Sequence, residues 1–216
     1  MHCDHSASHS GEARYLRETK QLRLTLVCDG CGTERAEFGR LDYRPNGRWL
    51  VGQLAGLTAR ELRLTEAQTA RVRLAALICD GARDQIPSAI LNKRGRLTDE
   101  EWSEVSRQPE LGAALLSDTS FDDIRAWVLS RRERTDGRGY PRGLSGQQIP
   151  LEARILAVAE AYVAMTSERP HRPAREHHDA TAELLRCAGT QFDAIVVHAF
   201  VRASLRRDRR PTAATA

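Results

Sequence analysis

The chain has 216 residues, a formal charge of +4, and 41% hydrophobic against 29% charged residues. That balance fits one ordinary globular domain with a small appendage, and it excludes a wholly disordered chain. No run of roughly 18 apolar residues is present, which excludes a helix built to cross a membrane; the polar start Met1-His2-Cys3-Asp4-His5 does not read as a secretory signal, so a cytoplasmic protein is expected.

In chain order, the first expected element is a strand. Gln21 to Val27 alternates apolar and polar residues with period two, the pattern of a half-buried strand. It runs into Cys28-Asp29-Gly30-Cys31-Gly32, after which Thr33 to Phe38 can return as a second strand. Two cysteines two residues apart in a tight turn can aim both sulfurs at one centre, as zinc knuckles do. Tetrahedral zinc needs two further ligands, which the start supplies, so the expected set is Cys3, His5, Cys28 and Cys31, with His2, Asp4 or His9 as substitutes for His5. A redox role for this Cys-x-x-Cys is the alternative, although such motifs ordinarily open a helix. Residues 1–45 are therefore expected to form a zinc-ribbon-like module around one structural zinc, stabilised mainly by the metal.

Pro45-Asn46-Gly47 marks a boundary. Beyond it, apolar residues recur at helical spacing over Trp49–Leu62, Glu66–Ile78, Phe121–Leu129, Leu151–Met165, Ala174–Cys187 and Asp193–Leu205. Thr98 followed by Glu101 is a capping box that starts another helix, and Pro109 suits the first turn of a helix ending near Leu116. The Gly- and Pro-rich stretch Arg132–Pro150 is expected as an ordered loop. The body, residues 46–205, thus reads as all-α. Arg206, Arg207, Arg209 and Arg210 give residues 206–216 a basic character. Such a tail suits nucleic acid or an anionic surface, and equally a solvated, disordered terminus.

Several segments resemble the HD-GYP family of the HD superfamily: Ile86-Pro87-Ser88-Ala89-Ile90-Leu91-Asn92-Lys93, Leu97 to Trp102, Asp136-Gly137-Arg138-Gly139-Tyr140-Pro141, Ile149 to Ala159, and Ala188 to Asp193. The match is collinear from about Leu57 to Leu205. It implies an HD-GYP-like helical bundle preceded by the small β-hairpin zinc module, and an activity that cleaves cyclic di-GMP at a two- or three-metal centre. The ligand positions depart from the family pattern. Cys79-Asp80 stands for the His-Asp pair, Ala82-Arg83 for Gly-Lys, and Gln108 for the histidine before Pro-Glu. Ser130-Arg131-Arg132 stands for a run of three histidines, and Glu160 and Val163 for two aspartates.

Imidazoles give such sites their affinity for iron, manganese or zinc, and the metal generates the attacking hydroxide. Two arginines in their place would oppose the cations, each arginine–cation pair costing roughly 4 kcal/mol at about 4 Å in an effective dielectric of about 20. The expectation is a degenerate site at Cys79, Asp80, Gln108, Ser130, Arg131, Arg132 and Glu160, hence a pseudoenzyme serving as a regulatory or protein-interaction domain with a protein partner. Two alternatives remain open: a non-hydrolysing cyclic di-GMP-like sensor binding phosphate through Arg83, Arg131, Arg132, Arg169 and Arg172, and a phosphodiesterase with an altered metal site.

Overall fold

The structure, a computed structural model, describes residues 9–16, 21–28, 31, 33–42, 48–81, 85–116, 121–168 and 173–208. The N-terminal part is a three-stranded antiparallel sheet of β1 (His9–Leu16), β2 (Gln21–Cys28) and β3 (Glu34–Asp42), in the order β1-β2-β3. His9 pairs in register with Cys28, and Leu22 with Leu41. The turn between β2 and β3 is closed by the Cys28 N–H, which donates to the Thr33 carbonyl at 3.1 Å. Cys28 is buried, whereas Cys31 is exposed with its thiol 3.2 Å from the Thr33 hydroxyl.

The expected hairpin is therefore only part of a larger sheet, which takes in His9 as a strand residue. Cys3 and His5 lie outside the described residues. Among the described residues, no group of three or more His, Cys, Asp or Glu gathers to hold a metal, and two of the four expected zinc ligands lie outside them.

From Arg48 onward the described chain is helical. α1 (Arg48–Glu61) and α2 (Glu66–Gly81) form an antiparallel pair, followed by the short α3 (Ser88–Leu91). α4 (Asp99–Ser106), α5 (Gln108–Ala114) and α6 (Asp122–Ser130) come next. After a loop containing one 3-10 turn at Gly146–Gln148 come α7 (Leu151–Thr166), α8 (His177–Arg186) and α9 (Ala194–Asp208). α9 continues past the expected boundary at 205, and Arg206 within it bonds the Glu61 carboxylate at 2.9 Å.

Helix starts follow local chemistry. Thr65 accepts from the Gln68 N–H at 3.2 Å, and the Gln68 side chain accepts from the Thr65 N–H at 3.0 Å, which fixes the start of α2. Asp193 caps α9 by accepting from the Ile195 and Val196 N–H groups at 2.8 and 3.1 Å. Its other oxygen takes the Arg154 guanidinium at 2.5 Å, tying α9 to α7.

The core lies where α1, α2, α6, α7 and α9 meet. Ala55 and Ala59 of α1 and Ala75 and Ala76 of α2 are buried small residues that let helix backbones approach closely. Leu74, Ile78, Ile124, Val128, Ile155, Leu156, Val197 and Phe200 fill the space between them. None of the described helices is long and apolar enough to cross a membrane.

Candidate active site

α2, α6 and α7 each bring one element to a common point beneath an open cleft. α2 contributes the Cys79 backbone carbonyl, α7 contributes the Glu160 carboxylate, and the C-terminal cap of α6 is Arg131. Arg131 is 2% exposed. Its Nε donates to Glu160 Oε1 at 3.0 Å, and a terminal nitrogen donates to the Cys79 carbonyl at 3.3 Å.

The neighbouring Arg132 points differently. Its side chain is 38% exposed, lies 3.5 Å from Glu160 Oε2, and donates to the Gln108 amide oxygen at 3.3 Å. One carboxylate thus faces two guanidinium groups. Ser130 is buried and accepts from the Arg142 guanidinium at 2.8 Å.

The loop after α6 is built on two carboxylates. Glu133 is buried, and its oxygens accept from the Arg142 and Leu144 N–H groups at 2.7 and 3.0 Å. Asp136 receives the Arg134 guanidinium through contacts of 2.9 and 2.6 Å and the Arg138 N–H at 3.1 Å. Gly137 takes the left-handed conformation (φ 76°), which a side chain would resist. Gly139 leaves no room for a side chain, because a Cβ there would run into the backbone of Glu133 and Arg134. The loop is anchored to the turn before α9, where the Thr135 and Asp136 N–H groups donate to the Gln191 and Thr190 carbonyls.

The Arg134 hydrogen bond holds the Asp136 carboxyl down at about 2, well below its ordinary 3.8. A depressed carboxylate contributes stability that is fully present above its ordinary value and is lost as pH falls toward its folded value. Wild type is therefore expected to lose a stability advantage over Asp136→Asn between about pH 4 and about pH 2. Urea midpoints of both proteins across that window check it. A difference unchanged by pH would show that the ion pair does not hold the loop.

The cleft above these residues measures about 1680 Å³. Lys93, Arg131, Arg132, Arg134 and Arg138 line it against three glutamates, Glu133, Glu160 and Glu168. Trp102 is half-exposed and makes an edge contact with Tyr140 at 5.7 Å, placing two aromatic rings on the rim. Lys93 reaches across to Glu101 at 2.5 Å.

Of the residues expected to form the site, Cys79, Gln108, Arg131, Arg132 and Glu160 come together here. Asp80 lies in α2, and its side chain is not among those described. Arg83, Arg169 and Arg172 fall outside the described residues. Arg131 was expected as a phosphate ligand, yet it is enclosed and bound to Glu160, leaving Arg132 as the arginine of that pair that faces the cleft. Lys93, Trp102, Glu133, Arg138 and Arg142 were missed. Lys93, Trp102 and Arg138 lie within segments that carry the family resemblance, whereas Glu133 and Arg142 had no sequence signal.

The metal centre that the resemblance implies does not fit these residues. A guanidinium fills the meeting point of α2, α6 and α7, and the Glu160 carboxylate is already neutralised from two sides.

A family model described as an HD domain matches residues 17–196. The chain is 38% identical over 180 residues to the cyclic di-GMP phosphodiesterase response regulator RpfG of Xanthomonas campestris pv. campestris, covering 78% of this chain and 48% of that protein. It is 40% identical over 149 residues to a cyclic di-GMP phosphodiesterase of Pseudomonas aeruginosa, covering 67% of this chain and 35% of the relative. The chain therefore spans half or less of the length of these curated relatives. The crystal structure of a cyclic GMP-AMP specific phosphodiesterase from V. cholerae shares the fold, with a TM-score of 0.56 and 17% identity over 76% of this chain and 45% of that one.

These relatives correct the expectation of a pseudoenzyme that serves as a regulatory or protein-interaction domain. Proteins at 34–40% identity are named as phosphodiesterases, which favours an enzyme, and the expected protein partner finds no support in those names. By the extent of that match, over residues 17–196, the chain belongs to the HD-domain family.

Proposed function

We propose that the helical domain is a phosphodiesterase acting on a cyclic dinucleotide, with a cation site altered from the family pattern. The observation that carries this reading is the cleft of about 1680 Å³, which combines basic side chains with two rim aromatics. Pockets for drug-sized ligands run to about 1,000 Å³, so a dinucleotide has room. Arg132, Arg138 and Lys93 offer charged donors for phosphate oxygens, and arginine matches phosphate with two parallel hydrogen bonds. Trp102 and Tyr140 offer ring faces to purine bases. No step through a metal is assigned, because the Arg131 guanidinium occupies the point where α2, α6 and α7 meet.

The test is turnover of cyclic di-GMP and of cyclic GMP-AMP, with and without manganese or iron, the products being separated by chromatography. Linear dinucleotide or mononucleotide products are expected. Arg132→Ala is expected to reduce kcat/KM about tenfold, the effect of one charge-assisted hydrogen bond at a partly exposed site. Absence of product from both substrates under every condition would overturn the reading.

For the N-terminal sheet we infer a zinc held by Cys28 and Cys31 together with Cys3 and His5. Its support is the pair formed by Cys28 at the end of β2 and Cys31 within the β2–β3 turn. Elemental analysis is expected to find about one zinc per chain, as a four-ligand site takes. Cys28→Ser with Cys31→Ser should lose that zinc while helical circular dichroism persists. Stoichiometric zinc in the double variant would place it elsewhere.

A further inference from the structure

Arg131 leads the fully buried side chains of the described residues in volume. Arginine is rarely enclosed unless its charge is met at close range, because desolvating it is costly. Here the charge is met by Glu160 at 3.0 Å and by the Cys79 carbonyl at 3.3 Å. These groups come from α7 and α2, and Arg131 itself from the end of α6, three of the stretches where the sequence reading finds departures from the family's pattern. The oxygens around the two guanidinium groups, namely the Glu160 carboxylate, the Cys79 carbonyl that Arg131 engages and the Gln108 amide that Arg132 engages, are hard donors of the type that hold magnesium or manganese.

We infer that Arg131 is an internal cation occupying a divalent-metal seat, and that Arg131 and Arg132 together keep metal off Glu160 in the native chain. The domain then carries its own positive charge at the base of the cleft. A divalent ion and the buried guanidinium exclude one another by like-charge repulsion and by simple volume. The inference concerns the cation of the proposed phosphodiesterase cleft and does not depend on its substrate. Its readout is metal, so a failed dinucleotide assay leaves it standing.

Manganese is the probe, since thiolates such as Cys28 and Cys31 are poor ligands for it. Three proteins are compared by manganese paramagnetic resonance and by thermal unfolding: wild type, Arg131→Lys, and Arg131→His with Arg132→Gln. The double variant frees the carboxylate and adds an imidazole, and it is expected to bind about one manganese per chain. At a hundredfold excess over Kd, its Tm should rise by about 5–10 °C. Wild type and Arg131→Lys keep a cation in place and should shift by no more than about 1 °C. A folded double variant that ignores manganese would overturn the inference. So would wild type binding one manganese that Glu160→Gln abolishes. Should the double variant fail to fold, the wild-type and Glu160→Gln measurements decide alone: one Glu160-dependent manganese in wild type overturns the inference, and its absence upholds it.

Discussion

Replacing Arg131 with alanine is expected to lower the unfolding free energy by about 3 kcal/mol, one of the two largest effects expected of a single substitution here. Removing one member of a buried ion pair costs roughly 3–5 kcal/mol, because the charge left behind has lost its partner but not regained water. The low end applies, since Glu160 is 16% exposed and keeps Arg132 at 3.5 Å. The vacated volume adds to the loss, as the guanidinium is packed among core groups with a side-chain exposure of 1%. Urea unfolding at neutral pH measures it. A cost below about 1 kcal/mol would mean that Glu160 is solvated well enough without Arg131, as surface pairs are.

Gly139→Ala is expected to be comparably damaging, for a steric reason. A Cβ at this position would lie 2.4 Å from the Glu133 α-carbon and 2.4 Å from the Arg134 nitrogen. Both obstacles are backbone, so no side-chain rotation relieves them. The displaced segment carries Glu133, whose carboxylate holds the Arg142 and Leu144 N–H groups. Overpacking ordinarily costs about 1–3 kcal/mol, and the loss of these hydrogen bonds places this change at about 3. The proposed turnover of a cyclic dinucleotide should fall at least tenfold, because Arg138 and Tyr140 ride on the same loop. Wild-type stability together with wild-type turnover would show that the loop relaxes around the methyl group at little cost.

Most helices were legible in the sequence because each buries one face at helical period. The expected start at Thr98 is met in detail: its hydroxyl accepts from the Glu101 N–H, and the Glu101 side chain accepts from the Thr98 N–H. Both halves of that box are three residues apart, so local spacing suffices. β1 was not foreseen, since His-Ser-Gly-Glu-Ala-Arg-Tyr-Leu alternates poorly and takes its shape from pairing with β2. Neither were the roles of Glu133 and Arg142, which depend on a loop folding back over about ten residues. Arg131 and Arg132 show the limit most sharply. Two adjacent arginines at a helix end look alike in sequence, yet one turns into the core and the other toward the cleft. Family membership was legible from the loop and helix motifs, whereas the reading of inactivity treated absent histidines as absent chemistry.

The hydrogen bonds from Thr135 and Asp136 to the carbonyls of Gln191 and Thr190 have a consequence for cooperativity. They join a loop in the middle of the chain to the turn that launches the last helix, some fifty-five residues later in sequence. Asp193, two residues beyond that junction, both caps α9 and receives Arg154 from α7. A fluctuation that lifts the loop therefore also loosens the mooring of the C-terminal helix, and the two segments open as one foldon rather than separately. A ligand that clamps the loop would slow amide exchange at the far end of the chain, carrying a signal from the cleft to α9 without any displacement of the core between them.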